Sequence, residues 1–166
     1  MANNEVGTRQ NIEQIGQIAK SRGVIFHTDA VQTFGIEQID VKKLNIDCLS
    51  ASSHKIYGPK GVGLLYLKNG IKIENLIFGG NQEFGKRGGT LNTAGVVGFA
   101  KATEIAYKNL EKNRNYLKNL QKYLIDRLKQ EFKDKVIING NLENCIPQVV
   151  SVSFVGEDAN ILLIKL

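Results

Sequence analysis

The stretch that decides the fold is Ser52-Ser53-His54-Lys55-Ile56-Tyr57-Gly58-Pro59-Lys60-Gly61. It sets a lysine just past an apolar run and then leads into a turn-rich loop. The run before it, residues 47–52 (Asp-Cys-Leu-Ser-Ala-Ser), is short and mostly small or apolar, which reads as a buried strand. Lys55 therefore stands at a strand's carboxyl end. In open α/β sheets that edge binds ligands, because the loops leaving it vary while the sheet stays rigid. A lysine there becomes a nucleophile once its ammonium loses the proton, which burial and neighbouring positive charge promote by destabilising the charged form. Taken alone, a lysine after a strand reads as a solvated loop charge.

A second strand end changes that reading. Residues 24–28 (Val-Ile-Phe-His-Thr) are β-branched and aromatic and end at Asp29, followed by Ala30-Val31-Gln32. An Asp on one strand end and a Lys on another face each other across the edge of the sheet. That pair suits pyridoxal phosphate: its aldehyde needs an amine to form a Schiff base, and its ring nitrogen needs a carboxylate to stay protonated, so that the ring acts as an electron sink. Ser52, Ser53 and His54, beside the lysine, offer donors for the phosphate.

Four motifs carry a resemblance. Residues 2–8 (Ala-Asn-Asn-Glu-Val-Gly-Thr), residues 27–32 (His-Thr-Asp-Ala-Val-Gln), residues 52–63, and the pair 79–83 (Gly-Gly-Asn-Gln-Glu) and 87–92 (Arg-Gly-Gly-Thr-Leu-Asn) stand in one order. In that order and spacing the chain resembles the central part of a NifS/IscS-type cysteine desulfurase, a pyridoxal-phosphate enzyme of the class V aminotransferase group. The resemblance runs over essentially all 166 residues but under half of such a protein. It implies an α/β fold, the PLP-dependent transferase fold type I, with a mostly parallel sheet and flanking helices, then a long helix into a partial small α+β domain. Residues 1–107 would be the C-terminal part of the large cofactor domain and 108–166 the beginning of the small one.

The resemblance also implies roles. Lys55 matches the Schiff-base lysine, which removes and returns the substrate α-proton. Asp29 matches the partner of the ring nitrogen, and Gln32 and Asn4 match residues that hydrogen-bond the cofactor's phenolate oxygen; Asn4 also touches the substrate carboxylate. Ser52 and His54 match phosphate ligands. Thr90 matches a phosphate ligand given to the partner's site across a homodimer interface. His27 is read as a satisfied core histidine, and Tyr57 and Lys60 are given no chemistry.

Three groups that the reaction needs have no counterpart here: the ring that stacks on the cofactor, the cysteine that attacks the substrate sulfur, and the arginine that holds the substrate carboxylate. The upstream phosphate loop is missing too. The expectation is a fragment of an enzyme that takes sulfur from L-cysteine, giving L-alanine and an enzyme persulfide for iron–sulfur cluster assembly or tRNA thiolation, with a sulfur-acceptor or scaffold protein as partner. The 166-residue chain alone is expected to be inactive. The alternatives are selenocysteine lyase, another class V aminotransferase, or a non-catalytic truncated scaffold.

Composition agrees with a globular domain: 42% hydrophobic, 23% charged, 7% aromatic. There is no apolar stretch near the ~20 residues that span a bilayer, and residues 1–5 do not read as a secretory signal, so the expectation is a cytoplasmic protein off the membrane. The net charge of +6, from 22 basic and 16 acidic residues, would admit an acidic partner. Much of it alternates with acidic residues over 101–135, which reads as a solvated helix face rather than a nucleic-acid site. Cys48 and Cys145 form neither a metal spacing nor a disulfide framework. Cys48 reads as a small core hydrophobe, and Cys145 has no activating neighbour in sequence.

Elsewhere the pattern predicts a helix over 11–22 stopped by Gly23, and a short helix over 41–44 capped by Asp40. A strand over 62–67 and a turn at 68–70 follow. Residues 79–90 hold five glycines and read as a loop. Helix predominates from Ala94, with Leu117, Leu120, Leu124, Leu128 and Phe132 as a core-packing stripe. Strands follow over 136–138 and 149–154, then a last helix over 159–166 capped by Asp158.

Overall fold

The computed structural model describes residues 1–166. They divide into two compact units, Ile12–Lys108, and Met1–Asn11 together with Asn109–Leu166.

The first unit opens with helix α1 (Ile12–Ser21), which buries Ile12 and Gly16. Gly16 is where the helix touches the turn at 40–45; a Cβ there would overlap the Leu44 carbonyl oxygen. Strand β1 (His27–Asp29) is shorter than the sequence suggests. Phe26 N donates to Asp47 Oδ2 (3.1 Å), and Phe26 O accepts from Asp47 N and Cys48 N (both 3.0 Å). The backbone there is tied to the start of the next strand, no ladder extends further back, and Val24 and Ile25 are each 58% exposed.

The short helix expected over 41–44 is a single turn. Asp40 Oδ1 accepts from Lys42 N (2.9 Å) and Lys43 N (3.0 Å), and Leu44 N donates to Asp40 O (3.0 Å). Asn45, at φ +52, then reverses the chain.

Strand β2 (Cys48–Ser52) is central. It pairs in parallel with β1 and antiparallel with β3 (Gly63–Leu67), giving a mixed sheet of order β1-β2-β3. Thr28, Leu49 and Ala51 are buried on one face, and Ala30 and Ile46 are buried at the sheet's two ends. Helix α2 (Thr93–Lys108) follows the long irregular segment 68–92. Asn92 caps it, Oδ1 accepting from Gly95 N at 3.0 Å. Phe34 meets Phe99 and Tyr107 edge-on, with ring centroids 5.9 and 5.6 Å apart.

In the second unit, helix α3 (Leu110–Phe132) packs on a hairpin of β4 (Val136–Asn139) and β5 (Ser151–Phe154). Phe132 meets Phe154 at 5.1 Å. The stripe on α3 is rotated from the one expected. Leu110 and Ile125 are buried and Leu117, Gln121 and Leu128 half-buried, whereas Leu120 and Leu124 are each 45% exposed. One residue is a turn of about 100°, so positions 120 and 124 lie off the line of 110, 117, 121, 125 and 128. Gln121 Nε2 donates to Val149 O at 3.1 Å, a polar anchor inside that line. Residues 1–11 belong to this unit: Thr8 bridges Cys145, Ile146 N donates to Gly7 O (2.9 Å), and Arg9 N to Asn144 O (3.0 Å). A last helix, α4 (Ala159–Lys165), is capped by Asp158. No helix is long and apolar enough to cross a membrane.

Candidate functional site

Because β1 and β2 run parallel, Asp29 and Ser52, their last residues, reach the same edge of the sheet. Beyond Ser52 the chain enters a 3-10 turn, Ser53–Ile56, that carries Lys55. The turn ends at Tyr57 in the left-handed region (φ 64°, ψ 17°). That geometry costs a non-glycine residue roughly 1–2 kcal/mol. Gly58 N then donates back to Ser53 O (3.1 Å), and Ser53 N to Val62 O (3.0 Å), closing the loop at its base.

Side chains alternate along β2, so Cys48, Ser50 and Ser52 share one face with His27 and Asp29 of β1. Two hydrogen bonds mark that face: His27 Nε2 to Ser50 Oγ at 2.6 Å, and Ser52 Oγ to His54 Nδ1 at 3.1 Å. Asp29 Oδ1 accepts from Val31 N at 2.7 Å. A carboxylate, a hydroxyl and a turn that carries a histidine and a lysine thus stand at one edge of the sheet. This donor set fits pyridoxal phosphate: the carboxylate for the ring nitrogen, the amine for the aldehyde, and Ser52 with His54 for the phosphate.

Helix α2 supports the loop from behind. A Cβ on Gly98 would lie 2.6 Å from Pro59 Cγ, one on Gly95 would overlap Val62, and one on Gly58 would overlap Ser53 Oγ and lie 3.1 Å from Ala102 Cβ. The loop and the helix therefore meet with no room for a further methyl. Ser53 is fully buried there, and its hydroxyl has no hydrogen-bond partner.

Other expected site residues are placed as follows. Gln32 is half-buried just past Asp29, in the turn begun by Thr33 N donating to Ala30 O (2.9 Å). Thr90 is exposed in irregular backbone ahead of α2. Asn4 is exposed in the second unit, in a turn where Asn3 Oδ1 accepts from Glu5 N (2.8 Å) and Val6 N (2.9 Å). Lys55 is exposed, so the burial expected around its amine is not supplied by these residues. His27 is not a core residue: it is exposed and satisfied by Ser50. The sequence reading passed over Ser50, although its spacing from Ser52 puts both on one strand face.

Both cysteines are buried. Burial pushes the Cys48 thiol up, and the Asp47 charge adds to that. Cys145 Sγ donates to Leu142 O at 3.3 Å. Burial also raises the Tyr107 phenol, opposed by a backbone hydrogen bond with Gly35.

An open α/β sheet with a lysine turn and a carboxylate at the same carboxyl edge is the architecture of a fold-type-I transferase domain. The chain belongs to the class-V aminotransferase family, whose description, "Aminotransferase class-V", matches residues 1–165. Its relatives there are cysteine desulfurases. The chain is 49% identical to "Cysteine desulfurase IscS" of Clostridium botulinum, over 99% of this chain and 42% of that protein. It is 46% identical to "Cysteine desulfurase, mitosomal" of Encephalitozoon cuniculi, over 99% of this chain and 38% of that protein. Among solved structures, the NifS-like protein of Rickettsia africae matches at a TM-score of 0.94 and 36% identity, over 99% of this chain and 45% of that one. A second NifS-like protein matches at 0.91 and 40% identity, over 97% of this chain and 44% of that one. The chain thus spans about two fifths of the length of the curated relatives it matches.

Proposed function

We propose that the chain is part of a pyridoxal-phosphate-dependent cysteine desulfurase that takes sulfur from L-cysteine. The observation that carries this is the placement of Asp29 and Lys55 at one sheet edge, with Ser52 and His54 hydrogen-bonded between β2 and the lysine. Residues 1–107 are the C-terminal part of the large cofactor domain and residues 108–166 begin the small one. When bound, pyridoxal phosphate supplies the electron sink for breaking bonds around the substrate α-carbon. Lys55 would hold the cofactor and carry the substrate α-proton away and back. Asp29 would keep the ring nitrogen protonated, Ser52 and His54 would hold the phosphate, and Gln32 would bind the phenolate oxygen; Asn4 is given a cofactor-binding role by the resemblance alone. Thr90 completes the partner's phosphate site in a homodimer.

Neither cysteine is exposed, so the thiol that receives sulfur comes from outside these residues. The sulfur passes on to an acceptor or scaffold protein in the cytoplasm.

The test is an absorbance spectrum of the chain with pyridoxal phosphate, before and after borohydride, with peptide mapping. A visible band that reduction fixes on Lys55, and that Lys55→Ala removes, is the expected result. Label on another lysine overturns the assignment. The chain alone is expected to release no alanine or sulfide from cysteine; detecting both would show that it needs no outside thiol.

A further inference from the structure

Ser50 holds β1 on both sides of Asp29. Its carbonyl accepts from Ala30 N at 2.9 Å, one residue after Asp29, and its hydroxyl meets His27 Nε2 at 2.6 Å, two residues before it. Ser50 is also the residue directly opposite Asp29 in the parallel ladder, so the two side chains stand next to each other on the exposed face. β1 is only three residues long and its ladder lies on β2 alone. A strand so short has little ladder of its own to resist sliding or twisting. The His27–Ser50 bond runs diagonally, since His27 is in register with Cys48, so it opposes both. Asp29 Oδ1 is in turn fixed by Val31 N at 2.7 Å, which sets the carboxylate's rotation once the strand is fixed.

We propose that Ser50, together with His27, is a positioning residue that aims the Asp29 carboxylate along the sheet edge toward a protonated ring nitrogen. This rests on the reading of Asp29 given above, although the bracing of Asp29 can be measured without any cofactor. The Ser50 hydroxyl both donates and accepts, so it stays bonded to His27 in either neutral tautomer and to the imidazolium.

The test is NMR on the cofactor-free, isotope-labelled chain, following the Asp29 carboxyl carbon and the imidazole nitrogens of His27 and His54. Ser50→Ala is expected to shift the Asp29 and His27 signals and leave His54, which is bonded to Ser52, in place. Ser50→Thr restores both, because it keeps the hydroxyl. An Asp29 signal unmoved by Ser50→Ala overturns the proposal, as does a shift that Ser50→Thr fails to restore. Should Ser50→Ala unfold, His27→Ala removes the diagonal bond but keeps the Ala30 bond, and must still move Asp29. If wild-type Lys55 takes no label while Asp29 responds, the cofactor reading fails and the bracing stands. If Lys55 is labelled while Asp29 does not respond, the reverse holds.

Discussion

At the scale of single residues, Ser53 and Gly58 set the fit behind the lysine turn. A buried hydroxyl without a partner forgoes the hydrogen bonds it had in water, a loss of about 1–3 kcal/mol. Ser53→Ala should therefore raise the free energy of unfolding, by about 1 kcal/mol. Gly58→Ala drives a methyl into Ser53 Oγ and should lower it by about 1–3 kcal/mol. The double variant should recover part of that loss, since removing the oxygen makes room. Denaturant melts of the two single variants and the double variant check all three, and strict additivity would deny the contact. The placement of Asp29 at a strand end and of Lys55 just past one was legible in the sequence because each follows an apolar run, and strand ends can be read from composition. The His27–Ser50 pair was not, because a bond between strands depends on a register that one chain segment does not reveal.

Among elements, the amino edge of the sheet is held by Asp47. Its carboxylate accepts from Lys68 Nζ (2.9 Å) and Phe26 N (3.1 Å), which ties the starts of β1 and β2 to the end of β3. Lys68, and after it Phe26, hold the Asp47 carboxyl below the usual carboxylate range. Its stabilising effect is therefore full above the ordinary carboxylate pKa near about 4, and is lost as the pH falls through the lowered folded value. Lys68 is raised by the same pair, so its share is present below the ordinary lysine range and lost as the pH rises through the folded value. Lys68 is exposed and adds little; the loss on mutation comes mainly from Phe26 N–H. Asp47→Ala should cost about 1–2 kcal/mol at neutral pH and less in acid. Equal melting of variant and wild type at pH 7 would refute the latch. The same tie explains why β1 is short: runs such as 24–28 show where a strand is possible, but the ladder stops where the partner's backbone turns to other bonds. On α3 the apolar period was legible, whereas the side facing the hairpin was fixed by packing around Ile125 and Gln121.

For the whole molecule, exposed apolar surface is the leading feature. Leu76, Phe78 and Phe84 project from the irregular segment, Tyr116 and Tyr123 from α3, and Leu163 and Ile164 from α4. β1 and β3 are both edge strands. Surfaces and edges of this kind drive association. The 166-residue chain should accordingly self-associate, with a weight-average mass in sedimentation equilibrium that rises with concentration; a monomer across the micromolar range would contradict this. Fold class and family were legible because four motifs stand in register along the chain. The grouping of residues 1–11 with Asn109–Leu166 was not, because it rests on pairings such as Thr8 with Cys145, far apart in sequence.

The glycines of α2 also bear on how this chain can be engineered. A helix designer would replace Gly95 and Gly98 by alanine, expecting about 0.5–1 kcal/mol from each. Here that choice would push Val62 and Pro59 outward and, with them, the loop that presents Lys55. A thermostability screen that scores folding alone would need to leave both positions out, or it would select chains with a better helix and a displaced lysine.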